Sequence, residues 1–159
     1  MAFIDNNNIL VLQKGGQVRL ASNGILQDKP VLQVSVDTAS ERGLLGIAIM
    51  NSATTGTDPT DLNDNNNKFV FLYYTQSSGT ELRNRVYRYN WNGQDKTLVN
   101  PALILDLPAL PGPNHDGGKL LIGPDNYLYA VIGDLNHRGK IKNIIDGTTD
   151  PDGTSVILS

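Results

Sequence analysis

Cysteine is absent from the 159 residues, which removes disulfides and thiolate metal sites and leaves the redox compartment open. Long apolar runs are absent too: nothing approaches the ~18 consecutive apolar residues of a membrane helix, so no membrane span is expected. Charge of one sign is scarce. The net charge is −3, and Lys and Arg are scattered without a basic stripe, which argues against nucleic acid as a partner. The opening Met1-Ala2-Phe3-Ile4-Asp5 has neither the basic region nor the apolar region of a signal peptide. There is no phosphate-cradling glycine loop, no G-x-S-x-G, no H-E-x-x-H and no zinc-ligand spacing, which argues against nucleotide, serine-hydrolase and zinc chemistry. Helical periodicity is missing as well, since no stretch carries an apolar i, i+3, i+4, i+7 stripe over three turns.

What is present is the vocabulary of an all-β protein. Hydrophobic residues make up 39% and charged residues 18%, enough for a folded core. Sixteen glycines, eight prolines and many Asn and Asp supply frequent turns. Short apolar or alternating runs recur between them. Ala2-Phe3-Ile4, Ile9 to Leu12, Val18 to Leu20 and Val31 to Val36 make four strands, with Gly15-Gly16 and Asn23-Gly24 as hairpin signals. Leu44 to Met50, Phe69 to Tyr74, Val86 to Tyr89 (ending at Asn92-Gly93) and Leu103 to Leu105 make a second four. Lys119 to Ile122, Tyr127 to Ile132 and Val156 to Leu158 begin a third.

A four-stranded unit repeated with turn punctuation predicts a β-propeller, here about two and three-quarter blades over residues 1–36, 44–107 and 117–159. A β-sandwich has similar strand spacing and is the alternative. The best internal echo is Asp5-Asn6-Asn7-Asn8 against Pro124-Asp125-Asn126, each a turn feeding an apolar second strand. The polar stretch from Asn51 to Lys68 is too long for a tight turn and reads as a mobile or functional loop. Fewer than three blades cannot close a ring, so open edges are expected and the chain reads as an incomplete domain with further blades missing.

The segment most suggestive of chemistry runs from Pro113-Asn114-His115-Asp116-Gly117-Gly118-Lys119-Leu120 to Ile132-Gly133-Asp134. His115 precedes one strand, and Asp134 follows its antiparallel neighbour. Both should therefore project from one edge of one blade. A carboxylate beside an imidazole fixes the tautomer and stabilises the imidazolium, which is what a general base requires. The plainer alternative is a loop histidine that bonds only backbone. Glu41, in Glu41-Arg42-Gly43-Leu44-Leu45-Gly46, holds the place in the second blade that His115 holds in the third, so it should face the same side; otherwise Glu41 and Arg42 form a solvated pair. His137-Arg138 follows Asp134 closely, as a second imidazole and cation or as plain loop. Asp146, Asp150 and Asp152 cluster beside glycines, as in oxygen-rich calcium loops, but their spacing fits ordinary turns and not the calcium loop of twelve residues.

Glu41-Arg42-Gly43-Leu44-Leu45-Gly46-Ile47-Ala48, Val86-Tyr87-Arg88-Tyr89, His115 to Asp125 and Ile132-Gly133-Asp134 occur in this order, and together they resemble the glucose/sorbosone dehydrogenase family, the soluble quinoprotein aldose dehydrogenases. The resemblance covers most of the chain, and its His115 to Asp134 stretch is specific. It implies a six-bladed propeller with pyrroloquinoline quinone (PQQ) at one mouth, an aldose sugar as substrate and an external electron acceptor. By resemblance His115 is the base that takes the anomeric hydroxyl proton while hydride leaves C1 for the quinone. Asp134 orients it, Glu41 sits at a cofactor-contacting position, and Asn114 immediately precedes the base. Two positions depart from the family pattern, Gln being usual at Glu41 and Asp at Asn114. An ionised Glu41 beside the tricarboxylate would be repelled by about 4 kcal/mol at ~4 Å for an effective dielectric near 20. The family's cofactor-neutralising Arg and Lys lie in later blades, and its calcium ligands lie mostly beyond Ser159. The 159-residue chain alone is therefore expected to be inactive, and the parent periplasmic or extracellular. The alternative from another class is a cofactor-free propeller that binds carbohydrate or protein.

Overall fold

The structure is a computed structural model, described here for residues 1–51, 68–79, 81–110 and 112–136. These residues form eleven strands, named in chain order: β1 (Ala2–Phe3), β2 (Asn8–Gln13), β3 (Gln17–Ser22), β4 (Ile25–Leu26), β5 (Leu32–Gln33), β6 (Leu44–Asn51), β7 (Lys68–Ser78), β8 (Glu81–Asn92), β9 (Thr97–Pro108), β10 (Gly117–Ile122) and β11 (Leu128–Ile132). They make three sheets in sequence order, with every pairing antiparallel: β1-β2-β3-β4 with β5 also on β3, then β6-β7-β8-β9, then β10-β11.

The middle sheet is covered on both faces, and the two-residue period of β7 produces this. Val70, Leu72 and Tyr74 point into a core shared with Leu10, Val18 and Leu20 of the first sheet. Phe71 and Tyr73 point the other way, into a core shared with Leu120 of the third. Each fully buried aliphatic side chain contributes roughly 1.5–3 kcal/mol. A bulge between Leu44 and Gly46 shifts the phase of β6, so Leu44 faces the first sheet together with Ile47 and Ile49, while Leu45 joins Ala48 and Met50 on the other side. A second bulge, between Gly117 and Leu120, opens β10 in the same way. The two bulged strands meet where a Cβ on Gly46 would collide with the carbonyl oxygen of Gly118, so the close approach requires glycine.

Three sequence expectations change in detail. The run from Val31 to Val36 pairs only as β5, because the outer strand of the first sheet breaks into β4 and β5 around Pro30, which has no N–H to give. Asn92-Gly93 is not a two-residue turn, since Asn92 pairs with Thr97 and Lys96 carries the positive φ of 52°. Asn92 instead caps that loop, its Oδ1 accepting from the N–H groups of Gln94 (3.0 Å) and Asp95 (3.1 Å). The Leu103 to Leu105 run extends in both directions through Pro101 and Pro108. β9 is a sheet edge, where prolines are tolerated, and Asn100 (φ 53°) lies in the irregularity beside Pro101. Asn23-Gly24 does form the expected tight turn, with φ of 49° and 79°. The turns at Asp5 and Asp125 also match, each aspartate accepting from the N–H two residues on. The loop from Asn51 to Lys68 (its residues 52–67), the strand expected at Val156 to Leu158, His137-Arg138 and the aspartates at 146, 150 and 152 lie outside the described residues.

Candidate functional site: a histidine–carboxylate rim

Residues 37–43 lead into β6, residues 112–116 lead into β10, and residues 133–136 leave β11. These three segments meet at one end of the sheets and are joined by side chains. Antiparallel pairing of Gly117 with Ile132 sets His115 opposite Asp134, and the imidazole Nδ1 lies 2.7 Å from the Asp134 Oδ1. Glu41 arrives from the segment that leads into β6, its Oε2 accepting the backbone N–H of His115 at 2.6 Å. Asn114 is held on two sides: its N–H donates to Asn136 Oδ1 (2.8 Å), and its own Oδ1 accepts from the Ser40 hydroxyl. The four residues singled out from sequence, Glu41, Asn114, His115 and Asp134, are therefore brought together.

His115 has φ of 60°, which is uncommon for a residue other than glycine and persists only when neighbours fix it. Its N–H is held by Glu41, its carbonyl by Leu135 N–H (3.3 Å) and its Nδ1 by Asp134. The side chain is nonetheless 59% exposed. Where Nδ1–H donates to the carboxylate, Nε2 is the ring nitrogen that can accept a proton. Gly133 permits the approach, since a Cβ there would overlap the His115 carbonyl.

Arg42 does not form a solvated pair with Glu41. It is buried, donating to the Ala109 carbonyl at 2.6 Å and lying 3.6 Å from Asp37. Beneath the rim lies a polar group without an assigned role in the sequence. Asp116 is buried, its Oδ1 accepting from Asn84 Nδ2 (3.1 Å) and its carbonyl accepting from the Tyr73 hydroxyl (2.9 Å). Burial pushes the Asp116 carboxyl above its usual range; the Asn84 hydrogen bond and the Arg42 charge oppose this, and Glu41 and Asp37 add to it. The Tyr73 hydroxyl is raised by burial and by Asp116. The adjacency of Asp116 to His115 was the available signal, but Asn84 and Thr75 lie on β8 and β7, and only the folded sheet brings them underneath.

The stacked antiparallel sheets match solved propeller dehydrogenases: a glucose dehydrogenase (TM-score 0.65, 22% identity, 82% of this chain and 38% of that one) and the PQQ-bound aldose sugar dehydrogenase of Streptomyces coelicolor (TM-score 0.59, 24% identity, 81% and 35%). At these identities the likeness establishes the fold. The sequence profile described as Glucose / Sorbosone dehydrogenase matches residues 1–149, and the chain belongs to that family. It is 30% identical to the uncharacterized protein slr1608 of Synechocystis sp. over 181 aligned positions, covering 95% of this chain and 41% of that protein. It is 31% identical to quinoprotein glucose dehydrogenase B of Acinetobacter calcoaceticus, covering 65% of this chain and 20% of that protein. The chain thus spans less than half the length of these relatives.

The donor set at the rim decides whether these residues suit a tricarboxylate quinone. Glu41 and Asp134 contribute carboxylates, Arg42 turns inward, and Lys14 reaches the border by donating to the Ser40 carbonyl. The backbone N–H groups of residues 114 and 115 are already taken by side chains. The described rim does not by itself hold a trianion. Among the described residues no cluster of three or more His, Cys, Asp or Glu could hold a metal ion, and no helix is long and apolar enough to cross a membrane.

Proposed function

We propose that this chain carries the proton-accepting corner of a six-bladed, PQQ-dependent aldose dehydrogenase, with His115 as the base. The observation that carries the reading is the 2.7 Å contact of His115 Nδ1 with Asp134, in a loop whose main chain is held by Glu41 and Leu135. In this reading the C1 hydroxyl of a cyclic aldose donates its proton to His115 Nε2, and Asp134 stabilises the imidazolium that results. Glu41 and Asn114 border the position assigned to the cofactor. The quinone, where bound, supplies the two-electron acceptor for the hydride that leaves C1, and the cations to hold it come from outside the described rim.

The test is reconstitution of the natural full-length protein with PQQ and calcium, followed by aldose-dependent dye reduction. Turnover is expected, and His115→Ala should lower kcat by about 10²–10⁴-fold. Absence of turnover with several aldoses removes the enzyme, and full turnover in His115→Ala removes the base. A second reading is favoured by one observation, the pairing of two carboxylates on the rim with an inward-turned Arg42: a cofactor-free propeller that binds carbohydrate. Saturable sugar binding by the full-length protein without quinone binding would select it.

A further inference from the structure

We propose that Asp116 is a positioning residue for His115, tying the exposed imidazole to the buried centre of the middle sheet through Asn84 and Tyr73. The inference rests on the reading of His115 as the base. His115 is 59% exposed at its side chain, whereas its chain neighbour Asp116 is 1% exposed. The surface loop is therefore anchored one residue beyond the reactive ring.

The anchor is continuous. Tyr73, fully buried, holds the Asp116 carbonyl at 2.9 Å, and Asn84 holds its carboxyl at 3.1 Å. Asn84 in turn accepts from the Thr75 hydroxyl at 2.6 Å. The Thr75 main chain binds the other side of the rim: its N–H donates to the Gly43 carbonyl and its carbonyl accepts from Asp37 N–H, each at 3.0 Å. Glu41 lies between those two partners and holds the His115 N–H. One buried residue of β7 thus supports both the segment bearing Glu41 and the segment bearing His115.

A buried carboxyl is a costly way to build a core. Asp116 Oδ2 has no hydrogen-bond partner among the described residues, and an apolar side chain of similar size would avoid that cost. What the carboxyl supplies is a directed acceptor for Asn84, immediately after a residue held at φ of 60°. Shape and acceptor geometry, more than charge, are the attributes required.

The experiment uses the natural full-length protein and its Asp116→Asn, Asp116→Ala and Asn84→Leu variants. Imidazole ¹⁵N and Hδ1 resonances report the His115–Asp134 bond independently of turnover. Asp116→Asn keeps Oδ1 as acceptor, and it should retain the wild-type imidazole signature and kcat within about threefold. Asp116→Ala should lose the Hδ1 signature, lower kcat by about tenfold or more with KM nearly unchanged, and shift the pH profile of kcat/KM. Asn84→Leu removes the bond while filling its space, so it should reproduce the Asp116→Ala result and decides the matter should Asp116→Ala fail to fold. A folded Ala or Leu variant with an intact imidazole signature overturns the proposal, and so does an Asp116→Asn variant that loses it. If the wild type turns over no aldose, the base reading fails, while the resonances still decide whether Asp116 positions the ring.

Discussion

Glu41 and Asp116 show how differently a carboxylate behaves at the surface and beneath it. Glu41 is exposed and accepts the His115 N–H, a bond that glutamine can also make through its carbonyl oxygen. Glu41→Gln should leave the loop in place and remove a negative charge from the rim, and on the proposed reading it should tighten quinone binding by the full-length protein, as read by equilibrium titration. Asp116 is buried, and its raised pKa links stability to pH. The folded state holds a proton that the unfolded chain releases near pH ~4, so this contribution is intact below that pH and is lost as pH rises through the folded value. Asp116→Asn cannot release that proton. Its stability advantage over wild type should therefore widen from about pH 4 to pH 7, measured as the shift of urea midpoints at the two pH values. Neither residue's behaviour follows from local sequence. The pairing of His115 with Asp134 is legible because antiparallel neighbours bring a strand start beside a strand end. The burial of Asp116 is not, because its partners lie more than thirty positions upstream on another sheet.

At the scale of elements, alternation and turn chemistry made most strands legible, and the failures have physical causes. Pro30 separates β4 from β5 on the outer side of the first sheet, where the sequence suggests the single strand Val31 to Val36, and Pro101 and Pro108 are tolerated because β9 is an edge. Asn-Gly produces a tight turn at positions 23–24, but at 92–93 the asparagine side chain binds two later N–H groups and opens a longer loop. The bulges at the starts of β6 and β10 were invisible in the sequence pattern, although glycine marks both. Gly46→Ala would drive a methyl group into the Gly118 carbonyl. It should destabilise the fold by about 1–3 kcal/mol, with spectral change concentrated at the rim, since β10 leads directly from His115. Denaturant titration with His115 resonances as a second probe checks both parts.

For the whole molecule, the informative contrast is between the covered middle sheet and the outer face of the third. Leu121 (59%), Tyr129 (47%) and Val131 (58%) are exposed together on β10 and β11. A contiguous apolar face of this kind drives association. The 159-residue chain on its own should self-associate in a concentration-dependent way, and Leu121→Lys with Val131→Lys should shift sedimentation toward the monomer. The middle sheet has the opposite property, having no spare side. Val70, Leu72 and Tyr74 serve one neighbour while Phe71 and Tyr73 serve the other. Loss or gain of a single residue within β7 would hand each neighbour the other's side chains, so such a change is viable only where a bulge absorbs it, as one does in β6. The rim inherits that restriction: a segment tied to Glu41, Asp134 and Asn136 keeps its geometry only while the strand beneath it keeps its phase.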